Sequence, residues 1–527
     1  MTTSRADPTI ASPDHGSVGT DQLELKARID GILNRWPAVS LAVGVVRDGS
    51  LEWFHGHGVA DIASGIPVTE DTVFRVGSLT KTFTAIAVLQ LWEHGRIDLD
   101  APANHYLRAY RLIPAKASFR PATVRQLLTH TAGIPEVLHP LDVVRPLFGE
   151  TVKLGRPVPT LAEYYRGGLR IGVEPGRRFI YTDHDFATLG QLVQDVSGKR
   201  LDRYLRERIF EPLGMADTDL LRSERVRSRL ATGYNLGSGG ARAVTDYEVV
   251  TVGGGAAYST PRDMARYLAA LLAGGLGEHG AVLKPATLAT MFAPHYQPDA
   301  RLPGVGLAFS RFDLGGHLAV EHGGILPGFT SQIFVAPDDG VGVMAFTNGA
   351  RLAMLWLPGE VGRLLSHLLG VADEGLRTDV PHHPEVWGDL CGWYQLSAKL
   401  TDARARSTIG AGVEVFVRRG QLMLRGLSPI PALYRGFALH PDDESDPYVF
   451  RIDLSDFGLG TARVVFSREP GMGTTRVRSE LLPLSLHKQA ASKNPRLWIS
   501  GALGALALAT TATAARRRRK RSEGVSA

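Results

Sequence analysis

The 527-residue chain has a single cysteine, Cys391. This excludes an intramolecular disulfide and a zinc site built from cysteines. Outside the C-terminal tail, the chain also lacks an excess of positive or negative charge. The net charge is +6, and the run "RRRRKR" at 516–521 alone carries six positive charges. The rest of the chain is therefore close to neutral, and the sequence predicts no nucleic-acid partner.

The N-terminal residues lack a continuous apolar run. Residues 1–22 are polar and contain no hydrophobic region of the kind that a secretory signal peptide carries. We expect this segment to be a disordered leader. The histidines also lack the spacing of metal ligands, and we expect no metal and no cofactor. The histidines considered are His55, His57, His317, His382 and His383.

Long hydrophobic runs are scarce, and one lies at the C-terminus. Residues 497–515 are nineteen residues without a charge, which as a helix span about 28 Å, enough for the hydrocarbon core of a bilayer. Many of them are Ala, Gly, Ser or Thr, so an Ala-rich helix packed on the protein surface is the alternative. We expect a membrane-associated protein with a single C-terminal span and a basic tail, 516–527. The flanking charges leave the side of the membrane open.

Residues 23–372 alternate between strand-like and helix-like segments. A hairpin-like stretch occupies 41–61, helical periodicity begins at 80–94 and returns through the middle, and strand-like runs reappear at 316–348. This order predicts one sheet with helices on its faces and an inserted helical lobe. Residues 387–488 carry short β-like runs and predict a separate all-β domain, either a sandwich or a small barrel.

A Ser-x-x-Lys step, Ser78 to Lys81, stands at the start of the first long apolar run. Three positions apart on a helix, the two side chains lie on one face. A serine hydroxyl is a poor nucleophile until a base takes its proton, and a lysine serves only when burial or neighbouring charges lower its pKa. The alternative is an ordinary helix cap followed by an exposed lysine.

The motifs that follow Ser78 resemble, in order, those of the serine β-lactamase-related superfamily, which includes class C β-lactamases, penicillin-binding D,D-peptidases, D-aminopeptidases and carboxylesterases. The similar stretches are "DTVFRVGSLTKTFTAIAVLQLWEHGRIDLD", "TVRQLLTHTAGIP", "PGRRFIYTDHDFATLGQLVQDVSGK", "YSTPRDMARYLAAL" and "VEHGGILPGFTSQIFVAPDDGVGVMAFTN". The resemblance covers about 25–370. It implies an α+β fold: a β-lactamase/transpeptidase-like antiparallel sheet with flanking helices and an all-α lobe. Residues 387–488 resemble more loosely the lipocalin-like domain of some of these hydrolases, ahead of the C-terminal hydrophobic helix.

The resemblance implies catalytic roles at the matching positions. Ser78 is the acylated nucleophile, Lys81 its partner and Tyr181 the general base. A tyrosine with an ordinary pKa of about 10 is a poor base near pH 7, so the site needs a cation beside the phenol or a relay through the lysine. The backbone N–H groups of Ser78 and Ile325 are expected to form the oxyanion hole.

The same resemblance places His322, Gly323 and Gly324 on the strand that borders the cleft, where glycines let substrate lie against the strand edge. His322 stands where true β-lactamases carry the lysine of Lys-Thr-Gly, and a histidine with an ordinary pKa is largely neutral at pH 7. His322 is therefore expected to bind a substrate carboxylate more weakly than that lysine does.

Asp183 is the second departure from the family, whose motif is Tyr-x-Asn. An ionised carboxylate cannot donate the hydrogen bond that the asparagine gives to the substrate. We expect Asp183 to raise the pKa of Lys81, which weakens Lys81 as a free base but favours it as a cation that supports tyrosinate. Asp183 could instead bind an amine of the substrate or only hold its loop.

These observations predict a serine hydrolase that forms a covalent acyl-enzyme at Ser78. An esterase or an amidase/D-peptidase acting on a small ester or peptide is favoured over an efficient β-lactamase. The alternative is a non-catalytic binding protein that keeps the fold. The sequence leaves the oligomeric state open.

Overall fold

The computed structural model describes residues 15–372, 375–396, 402–428, 430–468 and 475–496. The predicted span 497–515 and the basic tail lie outside these residues. Helices are found at His15–Arg35 (α1), Thr80–Glu93 (α2), Val124–Leu128 (α3), Leu161–Tyr164 (α4), Asp183–Ser197 (α5), Leu201–Leu205 (α6), Glu224–Arg227 (α7), Val252–Gly255 (α8), Pro261–Leu272 (α9), Pro285–Phe292 (α10), Ala353–Leu368 (α11), Pro384–Leu390 (α12), Ala403–Ile409 (α13) and Pro431–Arg435 (α14).

The strands of the N-terminal part are short, apart from those of its main sheet. They run over Ser40–Arg47 (β1), Ser50–Asp61 (β2), Ile66–Pro67 (β3), Phe74–Arg75 (β4), Leu112–Pro114 (β5), Thr151–Lys153 (β6), Leu169–Ile171 (β7), Tyr234–Gly237 (β8), Gly240–Ala243 (β9), Tyr247–Val249 (β10), Tyr258–Ser259 (β11), Ser310–Leu314 (β12), His317–Leu326 (β13), Phe329–Ala336 (β14) and Val341–Thr347 (β15).

The main sheet has seven antiparallel strands in the order β12-β13-β14-β15-β1-β2-β3. Side chains alternate between its two faces. On β1, Ala42 and Val46 join the larger core under α2 and α9, whereas Val43 and Val45 join the core under α1 and α11. A sheet covered by helices on both faces agrees with the order predicted from the sequence.

Helix α1 begins at His15, inside the segment 1–22 that we expected to be disordered. This corrects the leader prediction for residues 15–22, while residues 1–14 lie outside the described part. Leu25, Ile29 and Ile32 are buried at helical spacing against the sheet. Their packing stabilises the helix, and helix formation propagates cooperatively toward the N-terminus through polar residues.

Helix α2 lies at the centre of the larger core. The residues expected to bury it are 0–4% exposed: Phe83, Ile86, Ala87 and Leu91. The helical lobe lies between β4 and β12 in sequence and supplies α5 and α8, both of which contact α2. A helix fixed along its whole length holds its first turn rigidly, and that turn follows directly on Ser78.

The C-terminal part forms one nine-stranded antiparallel sheet. Its strands are Gly392–Gln395 (β16), Gly412–Arg418 (β17), Gln421–Gly426 (β18), Phe437–Ala438 (β19), His440–Pro441 (β20), Val449–Asp453 (β21), Thr461–Arg468 (β22), Thr475–Ser479 (β23) and Leu482–Lys488 (β24). The two edge strands, β19 and β20, are separated by Leu439 alone. The sheet therefore curls until its edges nearly meet, around a core of its own.

The boundaries 23–372 and 387–488 stay predictions, as does the lipocalin-like resemblance. Within the described ranges, no helix is both long and apolar enough to cross a membrane.

Candidate active site

Ser78 lies in a 3-10 turn, Gly77–Leu79, between β4 and α2. Gly77 has φ +55°, and a Cβ atom there would lie 3.0 Å from the backbone nitrogen of Ile325. Only glycine adopts this conformation without strain and allows the turn to approach β13 so closely. The turn therefore lies directly beside Ile325, and the oxyanion hole formed by the N–H groups of Ser78 and Ile325 stays a prediction. Ser78 remains half-exposed.

Lys81 is fully buried behind Ser78. Its Nζ atom donates hydrogen bonds to Ser78 Oγ at 2.8 Å and to the Gly254 carbonyl oxygen at 2.8 Å, and it also bonds to the Asp183 carboxylate. Burial lowers the pKa of Lys81, but the charge of Asp183 and the neighbouring Tyr181 outweigh burial, and the pKa is raised above its ordinary value of 10.5. The exposed-lysine alternative is therefore wrong, and Lys81 is an ammonium at neutral pH.

Tyr181 precedes α5 and is half-exposed, as Ser78 is. The Nζ atom of Lys81 lies 4.8 Å from the centre of its ring and within hydrogen-bonding reach of its hydroxyl group. Lys81 thus contacts both Ser78 and Tyr181 from the buried side. This arrangement supplies the cation that a tyrosine base needs.

Asp183 is the first residue of α5, where the unpaired N–H groups of the helix favour a carboxylate. It packs directly against α8, because a Cβ atom on Gly254 would lie 3.0 Å from the Asp183 carbonyl oxygen. This close approach places the Gly254 carbonyl and the Asp183 carboxylate on the same ammonium group. The prediction that Asp183 raises the pKa of Lys81 is confirmed.

Strand β13 borders the site with its open edge. β12 pairs with β13 only as far as Glu321, so residues 322–326 continue past that partner beside the Ser78 turn. A Cβ atom on Gly324 would lie 2.0 Å from the Val76 carbonyl oxygen. Gly324 is therefore needed for the contact between β13 and the Ser78 turn. Gly323 is half-exposed and lies one residue further from Ile325 along the strand.

His322 is buried, and its Nδ1 atom lies 2.7 Å from the Gly323 carbonyl oxygen. Burial and the nearby positive charge of Lys81 lower the pKa of His322 to about 3. The imidazole is neutral at physiological pH and presents no positive charge to a substrate.

Two residues of this region were not singled out from the sequence. His130 Nδ1 lies 2.9 Å from Asp185 Oδ2, and the His130 ring centre lies 4.4 Å from that of Tyr181. His130 has φ +55°, a strained conformation for a residue with a side chain. Burial raises the pKa of Asp185 well above its ordinary value. His130 lies in "THTAGIP" and Asp185 in "YTDHD", which are parts of the motifs quoted above. Their place in these motifs was the only indication in the sequence that the two residues belong to the site.

Comparison with known proteins now identifies the family. The model of the family described as Beta-lactamase matches residues 27–356. The chain belongs to the beta-lactamase family. Penicillin-binding protein 4 of Amycolatopsis lactamdurans is 27% identical over 67% of this chain and 91% of its own length. Esterase EstB of Burkholderia gladioli is 31% identical over 43% of this chain and 58% of its own length.

Among solved structures, the octameric penicillin-binding protein homologue from Pyrococcus abyssi aligns with a TM-score of 0.55 and 22% identity, over 90% of this chain and 100% of that one. At this identity the likeness shows the fold alone. The N-terminal part therefore has the β-lactamase/transpeptidase-like α+β fold. As a member of the beta-lactamase family, the protein is a serine hydrolase.

Proposed function

We propose that this protein is a serine esterase that forms a covalent acyl-enzyme at Ser78 and acts on small neutral esters. The observation that carries the proposal is the hydrogen bond from Lys81 Nζ to Ser78 Oγ, at 2.8 Å, with Lys81 held as an ammonium by buried Asp183. A charged ammonium cannot accept the serine proton, so the base is a different group. Asp183 and Tyr181 are the titratable side chains that share Lys81 with Ser78, and Tyr181 is the half-exposed one of the two.

Acylation begins when the Ser78 hydroxyl gives its proton to the tyrosinate oxygen of Tyr181 and Oγ attacks the ester carbonyl carbon. The carbonyl oxygen becomes an oxyanion and accepts hydrogen bonds from the Ser78 and Ile325 N–H groups. When the C–O bond to the alcohol breaks, Tyr181 returns the proton to the leaving alkoxide. The acyl group remains on Oγ as an ester.

Deacylation repeats these proton transfers with water. Tyr181 takes a proton from a water molecule, whose oxygen attacks the acyl carbon. Collapse of the second tetrahedral intermediate breaks the bond to Oγ, and Ser78 regains its proton from Tyr181. The Lys81 ammonium lies beside both oxygens and stabilises the negative charge that passes between them, because opposite charges close together in a buried site attract strongly.

Two features favour a neutral ester over a β-lactam. His322 is buried and neutral, so this strand position offers no charge to the carboxylate that a β-lactam carries. Asp183 replaces the amide donor that would bind an acyl-amide carbonyl. The esterase EstB of Burkholderia gladioli, 31% identical over the part that aligns, gives further support to ester substrates.

The test is covalent labelling by a fluorophosphonate probe combined with hydrolysis of p-nitrophenyl butyrate and of benzylpenicillin. Wild-type protein should be labelled once and should hydrolyse the butyrate ester much faster than the penicillin. Ser78→Ala should abolish both labelling and turnover, while Ser64→Ala, at an exposed serine in the β2–β3 turn, should change neither. Penicillin hydrolysis as fast as ester hydrolysis would exclude the esterase preference. Absence of labelling at every pH between 6 and 10 would favour the non-catalytic binding protein.

A further inference from the structure

The C-terminal part reaches the segment that leads into Tyr181 through Asp402, the residue that precedes α13. The Arg178 guanidinium, three residues before Tyr181, donates a hydrogen bond to the Asp402 carboxylate at 3.2 Å. The Asp402 side chain is only 3% exposed, and that of Arg178 is 20% exposed. An ion pair shielded from water in this way is screened little by salt.

A second contact joins the nine-stranded sheet itself to the loop between α10 and β12. Arg301 donates hydrogen bonds to the Asp446 carboxylate at 2.8 Å and to the Phe466 carbonyl oxygen at 2.9 Å. Asp299 lies 3.5 Å from Arg478 of β23, and both side chains are under 10% exposed. The apolar part of the contact is a small buried cluster of Leu302, Val449 and Val465.

Both contacts converge on the backbone just before Tyr181. Tyr296, in the loop that carries Asp299, stacks on Phe179 with ring centres 6.4 Å apart, and its hydroxyl group is hydrogen-bonded to the Phe179 backbone. On the other side, the N–H of Ile180 donates to the His130 carbonyl oxygen at 2.8 Å. The segment 178–180 therefore lies between the C-terminal contacts and the His130 turn, whose imidazole packs on the Tyr181 ring.

We propose that the C-terminal part of the chain positions Tyr181 for proton transfer, with the ion pair between Arg178 and Asp402 as the main restraint. The proposal rests on the proposed function, in which Tyr181 is the base for Ser78. Proton transfer needs the phenol oxygen within hydrogen-bonding distance of the serine or water oxygen. A displacement of about 1 Å can cost about 100-fold in rate.

The C-terminal sheet is also attached elsewhere. Helix α11 packs on the turn between β21 and β22, where a Cβ atom on Gly359 would lie 2.0 Å from the Gly458 carbonyl oxygen. Loss of the Arg178–Asp402 pair alone therefore leaves the sheet docked, and the effect of the pair on Tyr181 can be measured in a folded protein.

The experiment compares full-length Arg178→Met, Asp402→Asn and the double variant with Arg177→Met. Arg177 is the neighbouring arginine, 72% exposed, and it pairs locally with Glu174. We expect each single variant to lower kcat for p-nitrophenyl butyrate about 10- to 100-fold with KM little changed. The double variant should be no slower than either single variant, because both remove one interaction. Arg177→Met should match wild type.

Hydrogen–deuterium exchange of the Ile180 and Thr182 amides provides a second measurement that does not depend on activity. Exchange should be faster in Arg178→Met and Asp402→Asn than in Arg177→Met, at equal melting temperature. Wild-type kcat in both single variants, or additive losses in the double variant, would overturn the positioning role. If wild-type protein shows no turnover that depends on Ser78, the proposed function fails. In that case, unchanged amide exchange in Asp402→Asn would show, independently of activity, that the ion pair does not restrain the segment before Tyr181.

Discussion

Lys81 and Asp183 form a buried ion pair that joins the first turn of α2 to the first turn of α5. Burial by itself would lower the pKa of Lys81, and the carboxylate reverses this effect. The lysine of the Ser-x-x-Lys step is therefore held as a cation. This supports a division of roles in which Ser78 attacks, Tyr181 carries the proton and Lys81 supplies positive charge.

Asp183→Asn should move the alkaline limb of the kcat/KM profile to lower pH. Without the carboxylate, both effects by which Asp183 raises the pKa of Lys81 are lost while burial continues to lower it, so the pKa of Lys81 falls. As the pH rises, the variant loses the ammonium in a range where wild-type protein keeps it. The measurement is kcat/KM for an ester between pH 6 and 10.5. Asp30→Asn, at an exposed Asp30–Lys26 pair, is the control. Superimposable profiles for Asp183→Asn and wild type would contradict the assignment.

Tyr181→Phe should lower kcat by about 10²- to 10⁴-fold, the range typical of a lost general acid–base group. The ring that packs on His130 is kept and only the hydroxyl oxygen is removed. Fluorophosphonate labelling should slow in parallel, because it needs the same serine activation. Tyr164→Phe, a half-buried tyrosine in α4, serves as the control for loss of a phenol oxygen. Near-normal kcat in Tyr181→Phe would show that another group is the base.

Gly324→Ala should destabilise the protein by about 1–3 kcal/mol and lower activity, because the added methyl group meets the Val76 carbonyl oxygen at 2.0 Å. That oxygen belongs to the backbone that leads into the Ser78 turn and has little freedom to move. The neighbouring Gly323→Ala is the matched comparison, since its methyl group meets the end of the Gln332 side chain and comes no closer than 3.7 Å to the backbone. Urea unfolding and ester turnover measure both effects. Equal destabilisation by the two substitutions would contradict the close contact of strand and turn.

Much of this site follows from local sequence. The periodic apolar residues after Ser78 predicted α2. The effect of Asp183 on Lys81, 102 positions away, was expected only because both residues match motifs of the family that the sequence resembles. The His130–Asp185 and Arg178–Asp402 contacts join residues 55 and 224 positions apart. The hydrophobic periodicity of the sequence cannot predict contacts between such distant residues, because each of them alone is an ordinary polar side chain. Helix α1 was not predicted at all: packing of Leu25 and Ile29 against the sheet stabilises it, together with the polar residues that precede them.

His322 should make the folded state less stable as the pH falls from about 6.5 to about 3. Its pKa in the folded protein is about 3, and in the unfolded chain it is close to 6.5. In this window the unfolded state binds the additional proton, so the free energy of unfolding decreases with falling pH, by up to about 5 kcal/mol. Urea titrations at pH 7 and pH 4.5 measure the loss. His322→Gln should lose less stability than wild type over this interval. His317→Gln, on the same strand but more exposed and paired with Asp339, should follow wild type; an equal loss in all three proteins would contradict a buried neutral His322.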